Sequence, residues 1–164
     1  MQGGDQRREA ISDVAVHEIS SGVAAVGDGW RVIADYVRYG GFPDATDLDW
    51  RYLAYRIESQ GEVITISGDT FLCPEVIGLA RDTDLLAQWC MWPESVLTNP
   101  TVQILSESVL PTTTQAGQIT AEAGVKRLVL THLSAPINDA GALADVRQHY
   151  RGEVLLASDL LVIE

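Results

Sequence analysis

A chain of 164 residues with 46% apolar side chains is one ordinary domain, able to bury roughly two-thirds of its unfolded surface, and this excludes a disordered polymer. Its 23 Asp and Glu against 11 Lys and Arg leave a net charge of −12, and the basic residues come only in short pairs, Arg7-Arg8 and Lys126-Arg127. Nucleic-acid binding draws most of its affinity from cationic side chains on phosphates, so this balance argues against RNA and for a solvated acidic surface.

No apolar run approaches the roughly 20 residues that span a bilayer. The opening MQGGDQRREA lacks the apolar centre of a signal peptide. The expectation is a cytoplasmic protein without membrane contact. The two cysteines, Cys73 and Cys90, form no C-x-x-C pair and are expected to be buried thiols rather than zinc ligands.

Residues 1–12 read as a polar leader and 13–164 as one domain. VAVHEI at 14–19 alternates and predicts a strand. Strands at 23–26 and 30–37 follow, joined by Gly-Asp-Gly at 27–29, the spacing of a hairpin. GGFPDATDLD at 40–49 reads as a loop. Strands at 52–58 and 62–66 flank the turn Ser59-Gln60-Gly61.

Beyond Asp69 the period changes. PEVIGLAR at 74–81 has helical spacing with Pro in the first turn, and Leu85–Trp89 predicts a buried strand. Asn99-Pro100 starts a helix running to about Leu110. Thr112-x-x-Gln115 is a capping box whose helix stops at Gly124. A strand at 127–130, a helix at 140–150 and strands at 153–157 and 160–163 complete the chain. Antiparallel strands followed by alternating helix and strand predict an α/β fold, a mixed sheet with helices on one face.

Two motifs stand at strand ends: Ser67-Gly68-Asp69-Thr70 after VITI, and Thr131-His132 after RLVL. A carboxylate and an imidazole leaving buried strands at exposed ends are well placed to share a metal ion, because rigid strands fix their directions. Such oxygen and nitrogen donors suit zinc, manganese or iron. On spacing alone, an Asp before Thr at a strand end is more often a turn residue, and one His more often a structural group. Asp84 and Asp159 read as capping or turn carboxylates, His17 as a strand-face residue, and Trp89 and Trp92 as packing.

YRIESQGEVITISGDT at 55–70, GQITAEAGVKRLVLTHLSAP at 117–136 and RGEVLLASDLLVIE at 151–164 resemble the metallo-β-lactamase-fold hydrolases of the ribonuclease Z kind. DTDLLAQWCMWPESVLTNP at 82–100 resembles the aspartate-leucine-leucine stretch of that family, and its Gln88-Trp89-Cys90 is similar to the arylsulfatase-like branch. The resemblance covers about residues 14–164 and implies the C-terminal half of a four-layer αββα sandwich. It implies that Asp69 bridges two divalent ions such as zinc, and that His132 is a terminal ligand. In that family the metal lowers the pKa of a bound water that attacks an ester or phosphodiester.

The signature His-x-His-x-Asp-His is absent, and the only histidines are His17, His132 and His149. Tyr39 stands where the resemblance implies another ligand histidine, and Leu110 where it implies a catalytic one. A neutral phenol binds metal poorly and Leu not at all. The catalytic residues are therefore left open. The chain supplies Asp69 and His132 to a centre completed by another polypeptide, or it is a degenerate interaction subunit holding no metal, or it is a truncated fragment. Expected partners are a second copy or a separate N-terminal-half protein, with a small-molecule substrate favoured over RNA by the acidic charge.

Overall fold

The computed structural model describes residues 17–40, 51–133 and 139–163. The leader at 1–12, the loop at 41–50 and the start of the predicted strand at 14–19 lie outside the described residues. A single seven-stranded sheet runs in chain order. Its strands are β1 (Gly22–Gly27), β2 (Trp30–Val37), β3 (Tyr52–Ser59), β4 (Glu62–Ile66), β5 (Leu85–Trp89), β6 (Arg127–Thr131) and β7 (Glu153–Leu156). The helices are α1 (Pro74–Leu79), α2 (Pro100–Ser108), α3 (Thr113–Glu122) and α4 (Asp139–Val146).

Strands β1 to β4 pair antiparallel, and tight turns join β1 to β2 and β3 to β4. Between β3 and β4, Gln60 (φ 53°) and Gly61 (φ 87°) both take the left-handed region, the geometry that matches a two-residue turn to strand twist. From β4 onward helices intervene and the pairing is parallel. The capping box forms as the sequence predicts: Thr112 Oγ1 accepts the Gln115 N–H at 3.2 Å, and Gln115 Oε1 accepts the Thr112 N–H. Asn99 caps α2 by accepting the Thr101 N–H at 2.8 Å.

Register assigns the two faces. The cross-strand row Arg56, Thr65, Leu86, Leu128, Val154 lies toward the helices. There Leu86, Leu128 and Leu130 form one core with Val76 of α1, Ala116 and Ile119 of α3, and Val146 of α4. Gly117 lets α3 and α4 approach closely, since a Cβ there would sit 2.8 Å from the Val146 carbonyl oxygen. Arg56 caps the end of α1 by donating to the carbonyls of Leu79 and Arg81. Cys73 and Cys90 are free and buried, and burial pushes the Cys90 thiol up to about 12.

The opposite row, Tyr55, Ile66, Ala87, Val129, Leu155, faces away from the helices. On it Ile66 is 42% exposed and its strand neighbour on the same face, Ile64, 38%. Parallel strands expect cover on both faces.

Three expectations are corrected. His17–Ile19 form no strand, and His17 is exposed. Leu160–Ile163 form none either: Leu160 is 98% exposed at φ 63°, in a turn beyond the sheet edge. The last helix stops at Val146, so His149 lies in the turn after it. In α2, Ile104 is exposed, and the end of the helix is tied to α3 by Gln115 Nε2 donating to the Ser106 carbonyl.

Candidate metal centre

The carboxyl ends of β4, β5 and β6 meet at one edge, where parallel sheets commonly place ligands. Each residue of Ser67-Gly68-Asp69-Thr70 has a definable task there. Ser67 Oγ accepts the Trp89 N–H at 2.9 Å, locking the end of β4 to the end of β5. Gly68 turns at φ 59°, and a Cβ at that position would collide with the Leu53 carbonyl oxygen of β3, so only glycine fits. Thr70 Oγ1 donates to the Arg38 carbonyl at 2.9 Å, tying the turn to the chain just beyond β2. Asp69 stands exposed between these anchored neighbours.

The second motif is built alike. Thr131 Oγ1 donates to the Gln88 carbonyl and the Thr131 carbonyl accepts the Cys90 N–H, fastening β6 to β5. His132 then takes φ 61°, a left-handed conformation uncommon outside glycine. Such a conformation persists only where its surroundings impose it, and it concentrates at functional sites.

Asp69 and His132 line one cleft of about 240 Å³ with Ile66, Ser67, Trp89 and Thr131. The structure thus brings the two sequence-predicted donors together. It also adds one residue to the cleft. Trp89, read as packing, is buried yet forms the cleft wall, and its ring lies 5.8 Å from that of His132. Its indole N–H finds no acceptor among the described residues. Behind this wall, outside the cleft lining, the Tyr39 ring packs 5.5 Å from that of Trp89 and 4.7 Å from that of Tyr52. Burial, then the Asp69 carboxylate, then Tyr52 push the Tyr39 hydroxyl above its ordinary value. Strand patterning showed the apolar character of Trp89 but not that β5 ends at the site.

Other carboxylates are structural. Asp84 accepts the Val63 N–H at 2.7 Å and pairs with Lys126 at 2.6 Å, joining the starts of β4 and β6. Asp159 is exposed in the turn after β7. A larger hollow of about 530 Å³ lies at the opposite end of the sheet, between hairpin turns, where Arg31 and Glu58 already pair at 2.6 Å.

The sequence is 35% identical over 106 residues to ribonuclease Z of Myxococcus xanthus, covering 63% of this chain and 33% of that one. It is 29% identical over 149 residues to ribonuclease Z of Thermobifida fusca, covering 89% of this chain and 45% of that one. The fold matches the metallo-β-lactamase fold protein YhfI of Bacillus subtilis, with TM-score 0.64, 18% identity, and coverage of 82% of this chain and 49% of that one. It also matches human tRNase Z, short form, with TM-score 0.58, 22% identity, and coverage of 87% and 44%. The chain is similar in sequence to part of ribonuclease Z, and it shares the metallo-β-lactamase fold. No protein-family model matches it. The chain spans between about a third and a half of the length of these relatives. The expected preference for a small molecule over RNA gains no support from relatives named ribonuclease Z.

A metal-dependent fold implies divalent ions, and the donor chemistry can be tested against them. Catalytic zinc takes three protein ligands plus water. Among the described residues no group of three His, Cys, Asp or Glu side chains comes together. Asp69 and His132 alone do not fit a two-zinc centre. Among the described residues, no helix is long and apolar enough to cross a membrane.

Proposed function

We propose that this chain is the Asp69- and His132-bearing part of a metal-dependent hydrolase acting on a phosphodiester, with the remaining donors supplied by a second polypeptide segment. The observation that carries this reading is the shared cleft at the strand ends. Ser67, Gly68, Thr70 and Thr131 are each committed to holding the frame, while a carboxylate and a conformationally strained histidine are left exposed on the same space. A site that had lost its purpose would have no reason to keep His132 at φ 61°.

The second polypeptide segment would present its own sheet. The row containing Ile64 and Ile66 is the natural seat for it, because it is apolar and incompletely covered. The phosphodiester class follows the ribonuclease Z relatives. With net charge −12, this chain would contribute donors rather than the surface that grips nucleic acid.

The test is reconstitution. The chain is expressed alone and together with a segment carrying His-x-His-x-Asp-His, and cleavage of an activated phosphodiester is measured with zinc or manganese. The expected result is turnover only for the pair, lowered at least about 100-fold by Asp69→Asn or His132→Ala, since even groups that merely orient metal ligands cost 10–100-fold. Equal activity of the variant and wild-type pairs would overturn the reading.

A further inference from the structure

We infer that β1 pairs edge to edge with β1 of a second copy of this chain, antiparallel about a two-fold axis between Ala24 and Ala25, so that the two sheets continue into one. The contact lies in the plane of the sheet. It leaves free both the cleft of Asp69 and His132 and the face bearing Ile64 and Ile66.

β1 is an outer strand, and among the described residues only β2 pairs with it. An outer strand presents a row of unpaired N–H and C=O groups, which proteins ordinarily guard with Lys, Pro or an inward charge. β1 has no charged residue and no proline, although the chain carries a net charge of −12. It is an uncharged edge at which two mutually repelling acidic copies can meet. Val23 is 64% exposed and Val26 69%. The other outer strand, β7, is shorter and opens on Glu153.

The sequence of the strand selects a second copy as the occupant. Gly22-Val23-Ala24-Ala25-Val26-Gly27 reads the same in both directions. A two-fold contact must be self-complementary, with residue i meeting j and j meeting i. Antiparallel pairing of β1 with itself sets Val23 against Val26, Ala24 against Ala25 and Gly22 against Gly27, each contact made twice. The register shift between Val23 and Ala25 supplies the geometry. Val23 pairs with Ile33 and Val26 with Arg31, two positions apart on β2, so both valines stand on one face. Three places apart on a regular strand, they would stand on opposite faces. The four valines of a pair therefore meet in one apolar cluster. On the other face, a Cβ at Gly27 would lie 2.2 Å from the Trp30 ring, so the indole lies over the Gly27 backbone. A Cβ at Gly22 would meet nothing within 4 Å, which leaves Gly22 of the second copy room beside that ring.

The full chain is brought to sedimentation equilibrium at loadings from about 1 to about 200 µM. We expect a reversible monomer–dimer equilibrium on the weak side, because a short strand edge buries less than the roughly 1,600 Å² of a standard interface. Val23→Lys with Val26→Lys should lower the association constant at least about 10-fold, since like charges then face each other twice across the axis. The unfolding midpoint should hold, because both valines are exposed. Val23→Lys with Val26→Glu should restore the dimer, each lysine now facing a glutamate of the second copy. Ile64→Lys with Ile66→Lys should leave it unchanged. A wild-type monomer throughout this range overturns the pairing. A dimer of undiminished strength in the double lysine variant, or one lost with Ile64→Lys and Ile66→Lys, overturns it by placing the contact elsewhere. Loss in the lysine–glutamate variant as deep as in the double lysine variant overturns the two-fold register.

Discussion

Gly68 shows how a single hydrogen-for-methyl exchange governs the centre. Its φ of 59° and the Leu53 carbonyl oxygen beneath it leave no room for a Cβ. Gly68→Ala should therefore lower stability by about 1–2 kcal/mol from the left-handed backbone alone, and more from the collision. Urea denaturation measures it; a loss below the scatter of surface substitutions would show that the turn relaxes freely. Zinc binding belongs to the same handful of side chains. With two conventional donors where catalytic zinc takes three, the isolated chain should retain far less than one zinc after gel filtration. A tightly held stoichiometric pair would reveal donors beyond Asp69 and His132. The place of Asp69 and His132 at one end of the sheet was legible because each follows closely on a strongly apolar strand. The packing of Tyr39 on Trp89 was hidden, since it joins residues far apart in sequence. The place of Trp89 at the cleft was hidden because an apolar strand pattern does not tell core from site wall.

The packing of elements was legible wherever period and capping agreed. β2 and β4, the capping box of α3 and the hairpin turns follow the sequence reading closely. Alternation alone misled at 17–19, and an apolar run misled at 160–163, because a strand also needs a paired edge and the sheet ends at β1 and β7. Two consequences can be measured. Gly117→Ala would press a methyl onto the backbone of Val146, an overpacking cost of roughly 1–3 kcal/mol that exceeds the helix propensity gain of up to about 1 kcal/mol. A thermal midpoint raised by this substitution would contradict the close α3–α4 contact. The acid limb of stability rests on ion pairs between strands. Lys126, then the Val63 N–H, hold the Asp84 carboxyl below its ordinary value, and Arg31, then Arg56, do so for Glu58. A depressed folded-state value means stabilisation that is complete above the unfolded value, near 4, and lost as pH falls through the folded one. Stability should hold from neutral pH to about 5 and decline below about 4. Asp84→Asn should flatten that decline, and an unchanged acid slope would remove Asp84 from the account.

The molecule as a whole is a mixed sheet with helices over one face and exposed isoleucines on the other. The sequence announced this through near-continuous apolar parallel strands, which have no use for a solvated face. β1 and β2 lengthen the sheet at its edge rather than covering that face. A sheet-on-sheet partner should bury more than about 1,000 Å² in total. Ile64→Lys with Ile66→Lys should abolish that association while leaving the unfolding midpoint of the free chain nearly unchanged. Association that survives both charges would move the interface elsewhere. The claim on which the functional reading stands is that Asp69 and His132 share one cation, and crystals soaked with manganese or zinc test it directly by anomalous scattering. The account predicts a peak within roughly 2.0–2.2 Å of a carboxylate oxygen of Asp69 and an imidazole nitrogen of His132. Peaks confined to other surface carboxylates, with these two groups too far apart to reach one ion, would contradict it.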